Sequence, residues 1–263
     1  MKPAPFKYVR PQTLDEAVAL LAEHGDEAKI LGGGQSLIPM MNMRLARPGV
    51  LVDITALSEL DGISGQDGIV IGATTRQSAV KSAPRIVERL PLLVEALRWV
   101  AHPAIRNRGT FGGTVAHADP AAEVPAVIQA LDGEVVARGP DGERTIRAED
   151  FFLGMYATAL NVDEVLKEVK LNEAELSRRW AFREVARRHG DFALAGVAAT
   201  ADVNESGRCR SARIVLFGVS DRPLRAYEAE RRVENAELAS EDVRRETAEL
   251  AIDGLQPRSD VHG

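Results

Sequence analysis

One cysteine, Cys209, stands in a chain of 263 residues. A lone thiol excludes an internal disulfide, a cysteine-ligated iron–sulfur cluster and a four-cysteine zinc site. Histidine is scarce too: His24, His102, His117, His189 and His262 lie scattered, with no His-Glu-x-x-His spacing among them. Basic charge is in deficit, with 33 Lys and Arg against 39 Asp and Glu for a net charge of -6. That balance argues against a nucleic-acid footprint. No apolar run approaches the roughly 18 residues of a membrane span, and no signal-peptide core lies near the first residue. The expectation is a cytoplasmic protein, one at the inner face of the membrane, or one exported only with a partner. Redox chemistry in such a chain falls to an organic cofactor.

What is present is ordinary for a globular protein: 45% hydrophobic and 27% charged residues, enough for one large domain or two modest ones. After an arm containing Pro and Phe, Thr13-Leu14-Asp15-Glu16 reads as a capping box. Leu14, Ala17, Val18 and Leu21 share one helical face, and Gly25 ends the helix. Ala28 to Leu31 reads as a buried strand, 39–45 as a short helix and Val50 to Ile54 as a strand. A second unit begins near residue 55, with a strand over 69–73, a helix capped by Thr75, and helices over 92–100 and 125–131. A hairpin follows over 134–147, turning at Gly139-Pro140-Asp141-Gly142, and then a strand over 164–171. Beyond Leu171 come strands over 180–185, 193–203 and 213–219, then charged helices over 224–234 and 241–251. Strands first and helices after predict an antiparallel sheet backed by helices, an α+β arrangement.

Two glycine clusters carry the chemistry. The first is Ile30-Leu31-Gly32-Gly33-Gly34-Gln35-Ser36-Leu37; the second is Thr110-Phe111-Gly112-Gly113-Thr114. Consecutive glycines after an apolar segment let the backbone approach a ligand and gather its N–H groups into an anion-binding concavity. Two such concavities facing each other suit a pyrophosphate. Leu37 stands where a Rossmann G-x-G-x-x-G needs its third glycine, and neither cluster is a P-loop. The plainer reading, that the glycines merely make tight turns, weakens when two clusters share the same flanking pattern.

The wider sequence resembles a known family. Ala28-Lys29 with the first cluster, and Arg44-Leu45-Ala46-Arg47-Pro48 behind it, resemble the first flavin signature of the molybdenum hydroxylase medium subunits. These are the FAD-binding subunits of aerobic carbon monoxide dehydrogenase, xanthine dehydrogenase and their relatives. Residues 107–123, from Asn107-Arg108-Gly109 through the second cluster to Glu123, resemble the second signature. Arg187-Arg188-His189-Gly190-Asp191-Phe192-Ala193-Leu194-Ala195 is similar to the third block.

The resemblance implies an α+β chain. A PCMH-type FAD-binding fold would cover residues 1–173, in subdomains of about 1–55 and 56–173, and an α+β C-terminal domain residues 174–263. It implies that residues 30–37 and 110–114 cradle the FAD pyrophosphate and ribityl, with hydroxyls from Ser36, Thr110 and Thr114. Val100 and Ala101 would pack against the cofactor. Glu123 would accept hydrogen bonds from the ribose or adenine side, and Leu166 would line the flavin end. Arg183 would sit near the isoalloxazine, and Phe192 over its ring. Each residue also has a plainer role: Val100 and Leu166 in the core, Glu123 as a solvated helix-end charge, Arg183 facing solvent, Phe192 filling space beneath the sheet. His102 and His117 read as structural or pocket-lining.

By the same resemblance the chain is an electron-transfer subunit with non-covalent FAD, since Gln35 stands where covalent relatives have histidine. Its partners would be a large molybdopterin-binding subunit and a small [2Fe–2S] subunit in an (αβγ)₂ assembly. The family usually continues with a helix after the tetrapeptide matching Asp260-Val261-His262-Gly263, where this sequence stops. Two other readings stay open: a stand-alone flavin-dependent oxidoreductase of this fold, and a binding module whose loops hold no dinucleotide. Valine at Gly33 or Gly113 is expected to abolish FAD retention.

Overall fold

In the computed structural model, which describes residues 2–172 and 178–256, Thr13 opens helix α1 (Leu14–His24) by accepting the Glu16 N–H at 3.1 Å. The Glu16 carboxylate reaches back past Thr13 to the N–H of Gln12, at 2.6 Å. Leu14, Ala17, Val18 and Leu21 are the buried face, and Gly25 closes the helix at a φ of 51°. That face packs on a parallel sheet of β1 (Lys7–Val9), β2 (Ala28–Leu31) and β3 (Val50–Asp53), in the order β1-β3-β2. The arm thus supplies an edge strand, anchored where the Tyr8 hydroxyl donates to Asp53. Beyond β2 the chain turns through the first glycine cluster into α2 (Leu37–Asn42).

The next unit is built on five antiparallel strands: β4 (Ile63–Ser64), β5 (Gly68–Gly72), β6 (Glu134–Gly139), β7 (Gly142–Arg147) and β10 (Val165–Asn172), in the order β4-β5-β10-β6-β7. The β6–β7 hairpin turns at Pro140-Asp141, as its sequence predicts. Between β5 and β6 run α3 (Gln77–Ser82), α4 (Pro84–Arg89), α5 (Pro91–Trp99), α6 (Pro103–Arg106), α7 (Phe111–His117) and α8 (Glu123–Ala130). α4, α5 and α6 each begin with proline, whose missing N–H costs nothing in a first turn. Thr75 does not cap α3: it lies a residue too early, and its hydroxyl instead accepts the Gly62 N–H and donates to the Gly62 carbonyl. A short helix α9 (Ala148–Phe151) and a small hairpin, β8 (Phe152–Gly154) with β9 (Ala157–Thr158), precede β10.

The C-terminal sheet is antiparallel, β11 (Arg179–Ala186), β12 (Ala193–Val203), β13 (Cys209–Phe217) and β14 (Leu224–Arg225) in sequence order, followed by α10 (Tyr227–Val233) and α11 (Glu241–Ile252). The third strand starts earlier than its apolar run, and it ends at Phe217, before Gly218, whose φ is 78° and whose N–H donates to Pro120 at 2.8 Å. Leu224 and Arg225, expected as helix, pair with Leu216 and Val215. That pairing draws Leu224 and Arg225 into the sheet, so α10 begins three residues later than expected. Every residue of α8 is buried. One core joins it to the five-stranded sheet and to the inner face of the C-terminal sheet, where Phe182 stacks on Phe217 at 5.7 Å. The Thr200 hydroxyl donates to the carbonyl of Ala130, at 3.0 Å, across the same junction. The fold is therefore α+β, with an antiparallel, helix-backed C-terminal sheet. Asp260-Val261-His262-Gly263 lie outside the described residues.

Candidate functional site

β2 brings the chain to the first cluster with Ala28 buried behind it, and the turn that follows is held by contact with the second cluster. A Cβ on Gly33 would stand 2.4 Å from the Arg108 carbonyl oxygen and 2.6 Å from the Gly109 Cα. Only glycine lets these two backbones touch. Gly34 adopts a φ of 73°, a left-handed conformation that glycine reaches without strain. Among the described residues, no protein acceptor takes the main-chain N–H of Gly33, Gly34, Gln35 or Ser36. These residues line a cleft of about 1000 Å³, at the upper end of the size range of cofactor sites. Four successive orphan donors facing such a space are what an anion satisfies.

The second cluster is built differently. Thr110 caps α7 by accepting the Gly113 N–H at 3.1 Å. The N–H of Phe111 goes to Thr75 at 2.8 Å, that of Gly112 to Ala73 at 2.9 Å, and that of Thr114 to Thr110 at 3.3 Å. The expectation of two facing amide nests therefore fails at the second cluster, where a correctly spaced Thr cap and β5's neighbours take the donors. Gly112 is required by packing, since a Cβ there would stand 2.6 Å from the Ala73 Cα.

Both clusters nonetheless line one cleft. Ile30, Gly32, Gly33, Gly34, Gln35, Ser36 and Leu37 form one wall; Val100, Ala101, Thr110, Gly112, Gly113, Thr114 and Glu123 form the other; Leu166 and Phe192 complete the lining. Leu31 and Arg183 do not reach it. Leu31 backs the turn, and Arg183 is exposed on the outer face of β11, where strand alternation turns Phe182 and Glu184 inward instead. The Arg183 guanidinium donates to the carbonyl of Phe182 at 2.8 Å. Leu166 serves core and cleft together, and Phe192 is too exposed to be a core filler. Glu123 is not a solvated charge: it is buried in the first turn of α8.

Sequence reasoning missed other lining groups. Tyr156 holds a φ of 56°, donates its N–H to Ala118 at 3.1 Å and lays its ring 4.9 Å from that of His117. Burial pushes the His117 imidazole below its ordinary pKa, so it is neutral at physiological pH. Gln77 is buried on the same wall, and its Oε1 has no partner among the described residues. Nothing local in the sequence marks Tyr156 or Gln77; tertiary contact alone brings them in. His102 does not line the cleft.

Burial pushes the Glu123 carboxyl up to about 8, and Glu184 and Asp119 push the same way. Burial also pushes Glu184 up to about 7. Among the described residues no group of His, Cys, Asp and Glu could hold a metal ion, and no helix is long and apolar enough to cross a membrane. The glycine cradle, its orphan donors and the roomy, partly apolar cleft fit a dinucleotide instead.

Known proteins place this geometry. The family described as the FAD binding domain in molybdopterin dehydrogenase matches residues 4–172, and the CO dehydrogenase flavoprotein C-terminal domain matches residues 180–263. Subunit alpha of the 6-hydroxypseudooxynicotine dehydrogenase complex of Paenarthrobacter nicotinovorans is 42% identical over 264 residues, covering 100% of this chain and 89% of that one. The carbon monoxide dehydrogenase medium chain of Hydrogenophaga pseudoflava is 40% identical over 265 residues, covering 100% and 91%. The solved carbon monoxide dehydrogenase of that organism superposes with a TM-score of 0.96 at 39% identity, over 100% of this chain and 91% of that one. Quinoline 2-oxidoreductase from Pseudomonas putida 86 does so with a TM-score of 0.93 at 40% identity, over the same shares. With its donor cradle, its fold and these matches in agreement, the chain belongs to the FAD-binding medium subunits of the molybdenum hydroxylases, a family of oxidoreductase subunits.

Proposed function

We propose that this chain holds FAD non-covalently in the cleft and serves as the electron-transfer subunit of a molybdenum hydroxylase complex, receiving electrons from [2Fe–2S] centres of a small subunit and passing them to an external acceptor. The observation that carries the reading is the row of four uncommitted N–H donors, Gly33 to Ser36, on a cleft of about 1000 Å³. FAD, when bound, supplies the redox chemistry, accepting two electrons and releasing them together or singly. The protein's part is to bind and orient. The donors of Gly33, Gly34, Gln35 and Ser36 would hold the pyrophosphate. Thr110, Gly112, Gly113 and Thr114 shape the opposite wall. Val100, Ala101 and Leu166 would exclude water along the ring system, and exposed Phe192 would cover its outer end. Arg183, pointing away, has no role at the ring in this reading.

We divide the chain at residue 173 into an FAD-binding domain and a C-terminal domain; the family matches at 4–172 and 180–263 support that division. The partners proposed are a large molybdopterin-binding subunit and a small [2Fe–2S] subunit, in an (αβγ)₂ assembly. Support comes from relatives named as subunits or chains of dehydrogenase complexes. Those names cover different oxidised molecules on one flavoprotein fold, which fits a substrate chosen in the large subunit. Purification with added FAD tests the binding step: one flavin per chain is expected, and a colourless protein would overturn it. Co-expression with a molybdopterin-binding subunit and a [2Fe–2S] subunit tests the assembly. If the isolated flavoprotein is instead reduced directly by an oxidisable substrate, the stand-alone reading replaces this one.

A further inference from the structure

Two carboxylates are buried with no ion-pair partner among the described residues, Glu123 accepting only its own backbone N–H. Glu123 lines the cleft and is 7% exposed. Glu184 is 9% exposed on the inner face of β11, and among the described residues neither of its carboxylate oxygens has a hydrogen-bond partner. The other charged groups bearing on Glu123 are Asp119, in the loop before α8, and Arg106, on α6. Asp119 adds to the negative charge. Arg106 is buried, and its guanidinium is already engaged by the carbonyls of Val100 and Ala101. His117, at the end of α7, lines the same cleft but is neutral. From α5, α9, β12 and β13, which also pack around α8, the buried side chains are apolar apart from Thr200, whose hydroxyl goes to Ala130.

A buried carboxylate without a counter-ion is costly, whereas a protonated one is a neutral group with one O–H donor and acceptor capacity to spare. We propose that Glu123 meets the bound FAD as a neutral carboxylic acid, donating its O–H to an acceptor atom of the cofactor, with the buried, unpartnered Glu184 as the positioning residue whose charge keeps the proton there. The proposal rests on the FAD reading given above. It differs from the role expected from the sequence, in which Glu123 only accepts. It also explains why a site for an anionic cofactor tolerates an acidic wall: with the proton in place, that wall adds little charge. Loss of the proton places a new anion beside the cofactor and removes a donor, so binding weakens. The two acids interact, so they titrate as a pair rather than as independent groups.

The test is the FAD dissociation constant of the full chain, measured by flavin fluorescence quenching from about pH 6 to about pH 9. Affinity is expected to be flat at the acid end and to fall about tenfold per pH unit above the upper titration of the pair. Glu123→Gln, which preserves a neutral donor and acceptor, is expected to bind FAD within about threefold of wild type and to abolish the pH dependence. Glu184→Gln is expected to move the break to lower pH, because the like charge that favours the protonated form is gone. A pH-independent wild type, or a Glu123→Gln variant as weak as Glu123→Ala, would show that Glu123 works as a carboxylate and overturn the proposal. Calorimetry on the wild type alone gives a reading independent of variant folding: binding at the basic end takes up about one proton, visible as an enthalpy that depends on the buffer. Zero uptake overturns the proposal while leaving the FAD reading intact. Failure to bind FAD at any pH overturns both.

Discussion

The two walls of the cleft look alike in sequence and differ in structure. Each carries adjacent glycines after an apolar residue, with a small hydroxyl residue within two positions behind them. The first wall leaves the N–H groups of Gly33, Gly34, Gln35 and Ser36 without protein acceptors; the second commits those of Phe111, Gly112, Gly113 and Thr114 to Thr75, Ala73 and Thr110. Two features are the cause: Thr110, placed three residues before Gly113, caps α7 and takes that N–H, while the carbonyls of Thr75 and Ala73 take those of Phe111 and Gly112. The first wall is the cradle, and the second is the buttress that fixes its shape. Their contact at Gly33 shows that the lack of a side chain serves loop-to-loop packing as much as ligand approach.

The strongest way to break that contrast is to substitute glycine on each side. Gly33→Val drives a side chain into the Arg108 carbonyl and the Gly109 Cα, so complete loss of FAD is expected, with the cradle displaced. At Gly113 the first obstacle is the Thr110 hydroxyl, 2.5 Å from a new Cβ, a side chain rather than backbone. Gly113→Ala is therefore expected to disturb the cap and weaken FAD retention without abolishing it. Flavin content after gel filtration measures both. Equal and total loss in two variants that both fold would make the walls equivalent and end the distinction.

The second test uses pH, because the buttress wall carries a buried acid, Glu123, with no ion-pair partner among the described residues. Glu123 is raised from 4.5 to about 8 and Glu184 from 4.5 to about 7. A carboxyl raised in the folded state leaves stability intact below its unfolded pKa and erodes it as pH climbs through the folded value. The FAD-free protein is therefore expected to be most stable near the acid end of the window from 4.5 to about 8. Loss reaches up to about 1.4 kcal/mol per pH unit for one such group. Glu184→Gln should flatten the slope of urea midpoints across that window. A stability that rises with pH there would contradict the neutral state of this wall.

A smaller effect isolates the cap. Thr110 is 2% exposed, and Thr110→Ala removes the acceptor of the Gly113 N–H. A cost of about 1 kcal/mol is expected in chemical denaturation, with FAD affinity nearly preserved because the first wall keeps its donors. An affinity loss far larger than the stability loss would mean that the hydroxyl itself contacts the cofactor.

Much of this frame is readable along the chain, because it rests on local physics. The strand over Ala28–Leu31, the strand over Ala193–Val203, the hairpin at Pro140-Asp141 and the Thr13 cap each follow from residues within one or two turns of one another. What escapes local reading depends on partners distant in sequence. β1 is a strand only because Val50–Asp53 lies beside it, and Thr75 is drawn from a capping role by Gly62. Tyr156 meets His117 at the cleft, and the charge of Glu184 bears on Glu123 from another domain. The glycine clusters mark the site correctly, but their equal appearance conceals which one has donors to give, since that depends on where Ala73 and Thr75 place their carbonyls.

The smallest expected effect concerns neighbours on one strand. Arg183 and Glu184 are adjacent on β11, so the pleat sends one outward to solvent and the other inward toward the acid wall. A basic residue near the flavin is the role that resemblance gives Arg183, yet its guanidinium lies on the outer face, engaged by the Phe182 carbonyl. Arg183→Ala is therefore expected to leave FAD affinity, its pH profile and the flavin spectrum of the isolated chain unchanged, while Glu184→Gln shifts the profile. A spectral or affinity change from Arg183→Ala would require this strand to turn its faces over when FAD binds, and the inward placement of Glu184 would be lost with it.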